Sequence, residues 1–284
     1  MKMIPRKLRE AVSRHDGRVL NGLASACGVR PLRGIARAFA RRRESILVSA
    51  MPKSGSTFLT GTLEELTGYP RMHLCNHAGG RECDLSEALI IRAAPYNSVS
   101  KEHSKGIAAN VSLLNRYDIK PVVLVRNLYD AMVSVFDHVH SSHQDIFPAT
   151  HWAGGYFELP ETRQFDMIVD LVAPWYIQFY MSWYETWRAA RCDLIWVTYE
   201  ELIEDNVKTF RKILGFYALD KTDEEIIAAI DRAKRRFIRF NKGVSGRGVA
   251  RLTEGQQQRI VSMTHYYPSV DFSTVGIPVA PDIS

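Results

Sequence analysis

The chain has 284 residues, 46% of them hydrophobic and 24% charged, with a formal net charge of +6. That length supports a sizeable core, and the balance excludes a disordered chain, a collagen-like repeat and a disulfide scaffold. The mild basic excess suits a polyanionic ligand, and on composition alone nucleic acid, acidic lipid and a phosphorylated small molecule all stay open.

Residues 1–44 are rich in arginine and alanine. The opening stretch from Met1 to Lys7 is basic, but charges recur before any apolar run forms, so no secretory leader is expected. Leu32, Ile35, Ala36 and Phe39 recur at helical spacing, and Arg37, Arg41, Arg42 and Arg43 fill the remaining positions. We read residues 1–44 as a basic helical extension that packs one face on a single domain at 45–284. Peripheral contact of its basic face with a membrane surface is the sharper alternative.

Four β-like runs follow: Ser45–Ala50, Asn97–Lys101, Pro121–Val125 and Leu194–Thr198. Three of them are nearly all apolar, as strands buried on both faces of a parallel sheet are. Helical patterns lie between and after them, at Ser56–Thr67, Ile107–Tyr117, Leu128–His138, a long Phe165–Ala190, Asn206–Leu214, Asp223–Arg235 and Glu254–Thr264. Such alternation predicts a three-layer α/β fold with a central parallel sheet flanked by helices. The stretch from His140 to Arg163 lacks periodicity and reads as a long loop. The longest apolar region, Ile168 to Trp187, is broken by Asp170, Pro174, Gln178 and Glu185, so no membrane-crossing helix is expected. Cys27, Cys75, Cys83 and Cys192 are too scattered for a disulfide framework, and reduced thiols in a cytoplasmic setting are expected.

The first strand runs into Met51-Pro52-Lys53-Ser54-Gly55-Ser56-Thr57-Phe58 and then a helix. A glycine at such a turn lets backbone N–H groups converge, the helix N-terminus adds partial positive charge, and Lys53, Ser54, Ser56 and Thr57 add donors. The result is an anion cradle. A plain capped helix start, with Ser54 or Ser56 as N-cap, leaves the lysine unexplained. The spacing is not that of a nucleotide triphosphatase, where the lysine follows the last glycine.

Three further segments stand in order along the chain. Ser98-Val-Ser-Lys101-Glu102-His103 ends a β-like run with lysine and histidine two apart, hence on one side of the strand. An apolar strand delivers Arg126 at its C-terminal end, with Asp130 and Ser134 following in the next helix. Open α/β sheets bind ligands at those strand ends, and arginine offers a planar fork to phosphate. Phe240-Asn241-Lys242-Gly243, with Gly246, Arg247 and Gly248 beyond, is a glycine-rich basic segment followed by Leu252-Thr253.

Taken together these segments resemble the sulfotransferases that use 3′-phosphoadenosine 5′-phosphosulfate (PAPS). The resemblance runs in order from about Ile46 to Thr264, and the stretches 1–44, 70–96 and 140–165 have no counterpart in it. It implies that Lys53, Ser54, Gly55, Ser56 and Thr57 hold the phosphosulfate. Arg126, Ser134, Lys242 and Gly243 would hold the 3′-phosphate, with Tyr199 of Val197-Thr-Tyr199-Glu-Glu near the adenine and Phe58 stacked on it. His103 would be the general base for in-line displacement at sulfur, with Lys53 and Lys101 neutralising developing charge. No metal is required, because the lysines supply the charge. Asn241 stands where the family has an arginine, which leaves Arg239 or Arg247 to compensate. Ile230 or Phe237 would be the second stacking residue.

The alternatives are a nucleotide or adenylylsulfate kinase, and a non-catalytic polyanion-binding module using the basic N-terminus. No nucleic-acid partner is expected. The acceptor is read only as a hydroxyl, or an amine, on a small molecule, a glycan or a lipid-linked group. His138, His140, His143 and His151 are set aside as a metal site because the first two do not share a helix face. His73, Cys75, His77 and Cys83 are set aside for want of a paired C-x-x-C. Trp175, Tyr176, Phe179, Tyr180, Trp183, Tyr184 and Trp187 form an aromatic stripe read mainly as core.

Overall fold

The computed structural model of the chain describes residues 32–75, 83–142, 155–236 and 245–278. Its elements, in chain order, are α1 (Arg33–Ala40), β1 (Ser45–Ala50), α2 (Ser56–Thr67), α3 (Glu87–Ala93), β2 (Ser98–Glu102), α4 (Ala108–Arg116), β3 (Lys120–Val125) and α5 (Leu128–Ser142). They continue with α6 (Glu161–Leu171), α7 (Ala173–Arg188), β4 (Ile195–Thr198), α8 (Tyr199–Glu204), α9 (Asn206–Phe216), α10 (Asp223–Arg236), α11 (Arg247–Arg251) and α12 (Glu254–Thr264).

The strands form one four-stranded sheet in the order β2-β1-β3-β4, parallel throughout. Alternate residues of the strands face opposite layers. Ile46, Val48, Val122, Leu124 and Val197 meet α2, α9 and α10, where Leu59, Leu63, Phe210, Ile213, Ile226 and Ile230 are buried. Leu47, Val123 and Val125 meet the other layer, built around α5 and α7. This is the three-layer α/β architecture expected from the strand and helix alternation. Stripes of large side chains explain the layers, since each buried Leu, Ile or Phe contributes about 1.5–3 kcal/mol relative to exposure.

On α7 the stripe Tyr176, Phe179, Tyr180 and Trp183 follows the helical period and is buried, whereas Trp187 at the helix end is half exposed. Helix α1 lies where the spacing of Leu32, Ala36 and Phe39 predicts, and these three residues join the core with Ile90 and Ile91 of α3. Arg33 pairs with Glu87 across that contact.

Several expectations are corrected. The long helix expected over Phe165–Ala190 is two helices, α6 and α7, joined at Val172. Pro174 explains the break: it has no N–H to donate back into a preceding turn and is tolerated only in a first turn. Within the stretch read as a loop from His140 to Arg163, the described residues are partly helical. Helix α5 extends to Ser142, a short 3-10 turn spans Tyr156–Glu158, and α6 begins at Glu161. Helices α3, α8 and α11 are short and carry no long apolar period, so the sequence pattern did not mark them. Among the described residues, no helix is long and apolar enough to cross a membrane.

Candidate active site

The C-terminal ends of the four strands open onto one edge of the sheet, and sheet order sets what stands beside what. Strand β2 delivers Lys101 and, one residue beyond its end, His103. Strand β1 delivers the loop 51–55, β3 delivers Arg126, and β4 delivers Tyr199 as the first residue of α8. In space the row is therefore His103 and Lys101, then the loop, then Arg126, then Tyr199.

The loop is a tight left-handed turn at the start of α2. Lys53 has φ 64° and Gly55 has φ 83°. Left-handed backbone is what glycine tolerates and what lysine adopts only when the surroundings impose it. A Cβ on Gly55 would also lie 3.1 Å from the Tyr199 ring. The surroundings are a set of donors that take the loop's carbonyls. His103 Nδ1 contacts the Ala50 carbonyl at 2.6 Å. Ser54 Oγ donates to the Met51 carbonyl. Tyr176 Oη donates to the Pro52 carbonyl at 2.8 Å, and Arg126 Nη1 donates to the Lys53 carbonyl at 2.9 Å. With four successive carbonyls turned into the protein, the amide edge of the turn and the N-terminus of α2 are the groups left to face an anion.

The same bonds orient the side chains around the turn. A carbonyl only accepts, so in neutral His103 the proton sits on Nδ1 and Nε2 carries the lone pair. Lys101 Nζ donates to Thr57 Oγ1 at 3.3 Å, across the mouth of the turn. Burial, and next the charge of Arg71, lower the Lys101 pKa below the usual lysine range. Ser54 and Ser56 are buried, Thr57 is exposed, and Lys53 and Gly55 are intermediate.

On the β3 side Arg126 is 7% exposed at its side chain. Its guanidinium lies 4.0 Å from the centre of the Tyr199 ring, in cation–π geometry, and 4.0 Å from Asp130 Oδ2. Burial raises the Tyr199 pKa, against the nearby charge of Arg126. Asp130, Ser134 and Asp137 lie on one face of α5 at steps of four and three. That face clamps the segment from Gly246 onward. Asp130 accepts from Gly246 N at 2.7 Å and from Gly248 N at 2.6 Å, while Asp137 pairs with Arg247 at 2.8 Å and with Arg251 at 3.1 Å. A Cβ on Gly248 would lie 2.2 Å from the Tyr129 carbonyl carbon, so only glycine fits there. Ser134 is buried between the two aspartates.

The fold thus gathers Lys53, Ser54, Gly55, Ser56, Thr57, Lys101, His103, Arg126 and Tyr199 on one edge, with Ser134 on the adjoining helix. Phe58 is a core side chain, 4% exposed, with its ring edge-on to Phe210 at 6.2 Å. Ile230 is buried in the same cluster. Arg247, one of two candidates to compensate for Asn241, is engaged with Asp137. Phe237, Arg239, Asn241, Lys242, Gly243, His77, His143 and His151 lie outside the described residues. His140 donates from Nδ1 to the Phe136 carbonyl at 2.9 Å and stacks on the Phe136 ring.

Two contributors were missed by sequence reasoning. Tyr176 was read as core, which it is, yet its hydroxyl holds the loop; a polar tip on a buried helix stripe was the available signal. Asp130 was noted only as part of a pattern, and its role needs Gly246 and Gly248, 116 and 118 residues away.

The profile of the family described as "Sulfotransferase domain" matches residues 43–245. Among solved structures, the chain is similar to a mouse sulfotransferase, SULT7A1, complexed with PAP, at TM-score 0.60 and 19% identity, covering 86% of this chain and 92% of that one. It is also similar to retinol dehydratase in complex with androsterone and inactive cofactor PAP, at TM-score 0.54 and 12% identity, covering 78% and 80% of the two chains. No curated protein matches the chain at a significant level.

Proposed function

The chain belongs to the sulfotransferase family, and on that premise we propose that it transfers a sulfuryl group from PAPS to an acceptor hydroxyl with His103 as general base. The observation that carries this reading is the strand-end row: imidazole and lysine on β2, anion turn on β1, buried arginine on β3 and tyrosine on β4.

The donor set fits PAPS, whose charges lie at two separated ends. The amide edge left by the turned-in carbonyls, Lys53, the hydroxyls of Ser56 and Thr57 and the N-terminus of α2 suit a phosphosulfate, while Ser54 gives its hydroxyl proton to the Met51 carbonyl and contributes through its backbone. Arg126 and Ser134 suit the 3′-phosphate, and the motif assigns Lys242 and Gly243 to the same group. When bound, PAPS supplies the sulfuryl group on a phosphate leaving group. Nε2 of His103 removes the acceptor proton, and the Nδ1 bond to Ala50 keeps the ring aimed. Lys53 and Lys101 stabilise charge that grows on the oxygens, which is the role a metal ion plays in phosphoryl transfer. Arg126 orients through its fork while Tyr199 covers its flat face. We assign Phe58 and Ile230 to the apolar walls nearest the adenine end.

The acceptor is a small molecule, a glycan or a lipid-linked hydroxyl. The cytoplasmic setting rests on the scatter of the cysteines along the sequence. Calorimetry with adenosine 3′,5′-bisphosphate, followed by an acceptor screen with labelled PAPS, tests the reading. Stoichiometric binding and label transfer support it, and no heat of binding overturns it.

A further inference from the structure

The segment before α3 and the end of β2 bring together side chains that the proposed reaction does not use. Glu102 lies between Lys101 and His103 in the chain, so the strand alternation sends it to the opposite side. There it is 0% exposed. Its Oε1 accepts from the Leu74 N–H at 2.7 Å and stands 4.0 Å from His73 Nδ1. The thiols of Cys75 and Cys83 and the Glu102 carboxylate have ligand atoms within 4.8 Å of one another. Backbone pairing of Cys75 with Leu85, and the bond from Ser86 N to the Leu74 carbonyl, hold the two cysteine-bearing stretches side by side.

We propose that Cys75, Cys83 and Glu102 bind one soft divalent metal ion, with zinc the ion this donor set fits, and that His73, whose Nδ1 stands 4.0 Å from Glu102 Oε1 but outside that three-residue cluster, turns in as the fourth ligand. Two sulfurs exclude Mg²⁺ and Ca²⁺, which take oxygen ligands. Two sulfurs, one carboxylate oxygen and one imidazole nitrogen are each zinc-ligand types and together fill a four-coordinate shell. A tetrahedral ion at about 2.3 Å from each sulfur places the sulfurs roughly 3.8 Å apart, inside the 4.8 Å that bounds the present cluster. The Leu74 N–H on Glu102 is an outer contact of the type that orients a ligating carboxylate. His73, 62% exposed at its side chain, opens the entry route. As two metal–sulfur bonds form, two thiol protons pass to the buffer. The ion ties the segment before α3 to the end of β2, and so braces the strand that carries Lys101 and His103. This inference is independent of the reaction assigned above.

The full-length chain, reduced and stripped with chelator, is titrated with Co²⁺ and then Zn²⁺, with Mg²⁺ as the control. One equivalent of cobalt is expected to give a thiolate-to-cobalt charge-transfer band and tetrahedral visible bands, both erased by one equivalent of zinc. Cys83→Ser and His73→Ala are each expected to lower zinc affinity at least ten-fold while binding of adenosine 3′,5′-bisphosphate is retained. If Cys83→Ser fails to fold, alkylation of the wild type decides: bound zinc is expected to shield Cys75 and Cys83 while Cys192 reacts as before. Absence of the thiolate band, undiminished zinc uptake in a folded Cys83→Ser, or equal alkylation with and without zinc each overturns the proposal. So does a Cys75–Cys83 disulfide that closes as readily in the zinc-treated chain as in the stripped one.

Discussion

Between Ala50 and Phe58 one contiguous turn carries the lysine, the hydroxyls and the helix N-terminus, whereas the region around Arg126 is gathered from β3, α5, α8 and the segment that begins at Gly246. In the first region backbone geometry does most of the work, and distant side chains merely lock it. In the second, no stretch is competent alone: Arg126 needs the Tyr199 face, and the glycine segment needs Asp130. The two meet at one bond, from Arg126 Nη1 to the Lys53 carbonyl. A site built this way should fail differently at its two ends. Damage near the turn should cost chemistry, and damage near Arg126 should cost binding or local order.

The largest effect is expected from His103→Ala. We predict a fall in kcat of about 10²–10⁴, the usual worth of a positioned general base, with the Kd for adenosine 3′,5′-bisphosphate unchanged. Turnover at the wild-type rate would remove His103 from the chemistry. Arg126→Ala should show the opposite signature. Loss of charge-assisted bonds worth about 1.5–3 kcal/mol predicts roughly ten- to a hundred-fold weaker nucleotide binding, with kcat at saturating donor largely kept. Equal losses in kcat and affinity would mean that the two regions act as one.

Gly248→Ala tests the assembly itself. Overpacking against Tyr129 predicts a loss of about 1–3 kcal/mol in thermal or denaturant unfolding, whereas Gly34→Ala, with nothing within 4 Å, should not destabilise. A Gly248→Ala chain as stable as wild type would break the picture of a clamped segment.

The smallest effect is a pH shift. In the proposed reaction Lys101 works as a cation, and its pKa is lowered by burial and by Arg71. Its charge is therefore lost at lower pH than an ordinary lysine's, so the alkaline limb of kcat should begin early. Lys101→Arg, charged at all accessible pH, should carry that limb upward. An unmoved limb would exclude Lys101 as its source.

The sequence alone determined the contiguous parts. Strand β1 and helices α2 and α12 fall at their expected bounds because each is encoded by its own apolar pattern, with Gly68 stopping α2 and the Thr253–Gln256 capping box starting α12. The anion turn was legible for the same reason: lysine, glycine and hydroxyls are adjacent, and the backbone does the converging. Arg126 and His103 were legible as strand-end residues, because parallel strands point their C-terminal ends the same way.

Tertiary structure decided whatever depends on contacts between distant stretches. Only the sheet order β2-β1-β3-β4 sets His103 beside the turn and Arg126 on its other flank. The break at Val172, the hold of Tyr176 on Pro52 and the grip of Asp130 on Gly246 and Gly248 involve partners that no local period announces. The meeting of Cys75, Cys83 and Glu102 is of the same kind, since the carboxylate that completes the cluster lies on a strand the cysteines do not belong to. Hydrophobic spacing encodes which face of an element is buried. Which polar groups then face each other is settled when the layers close.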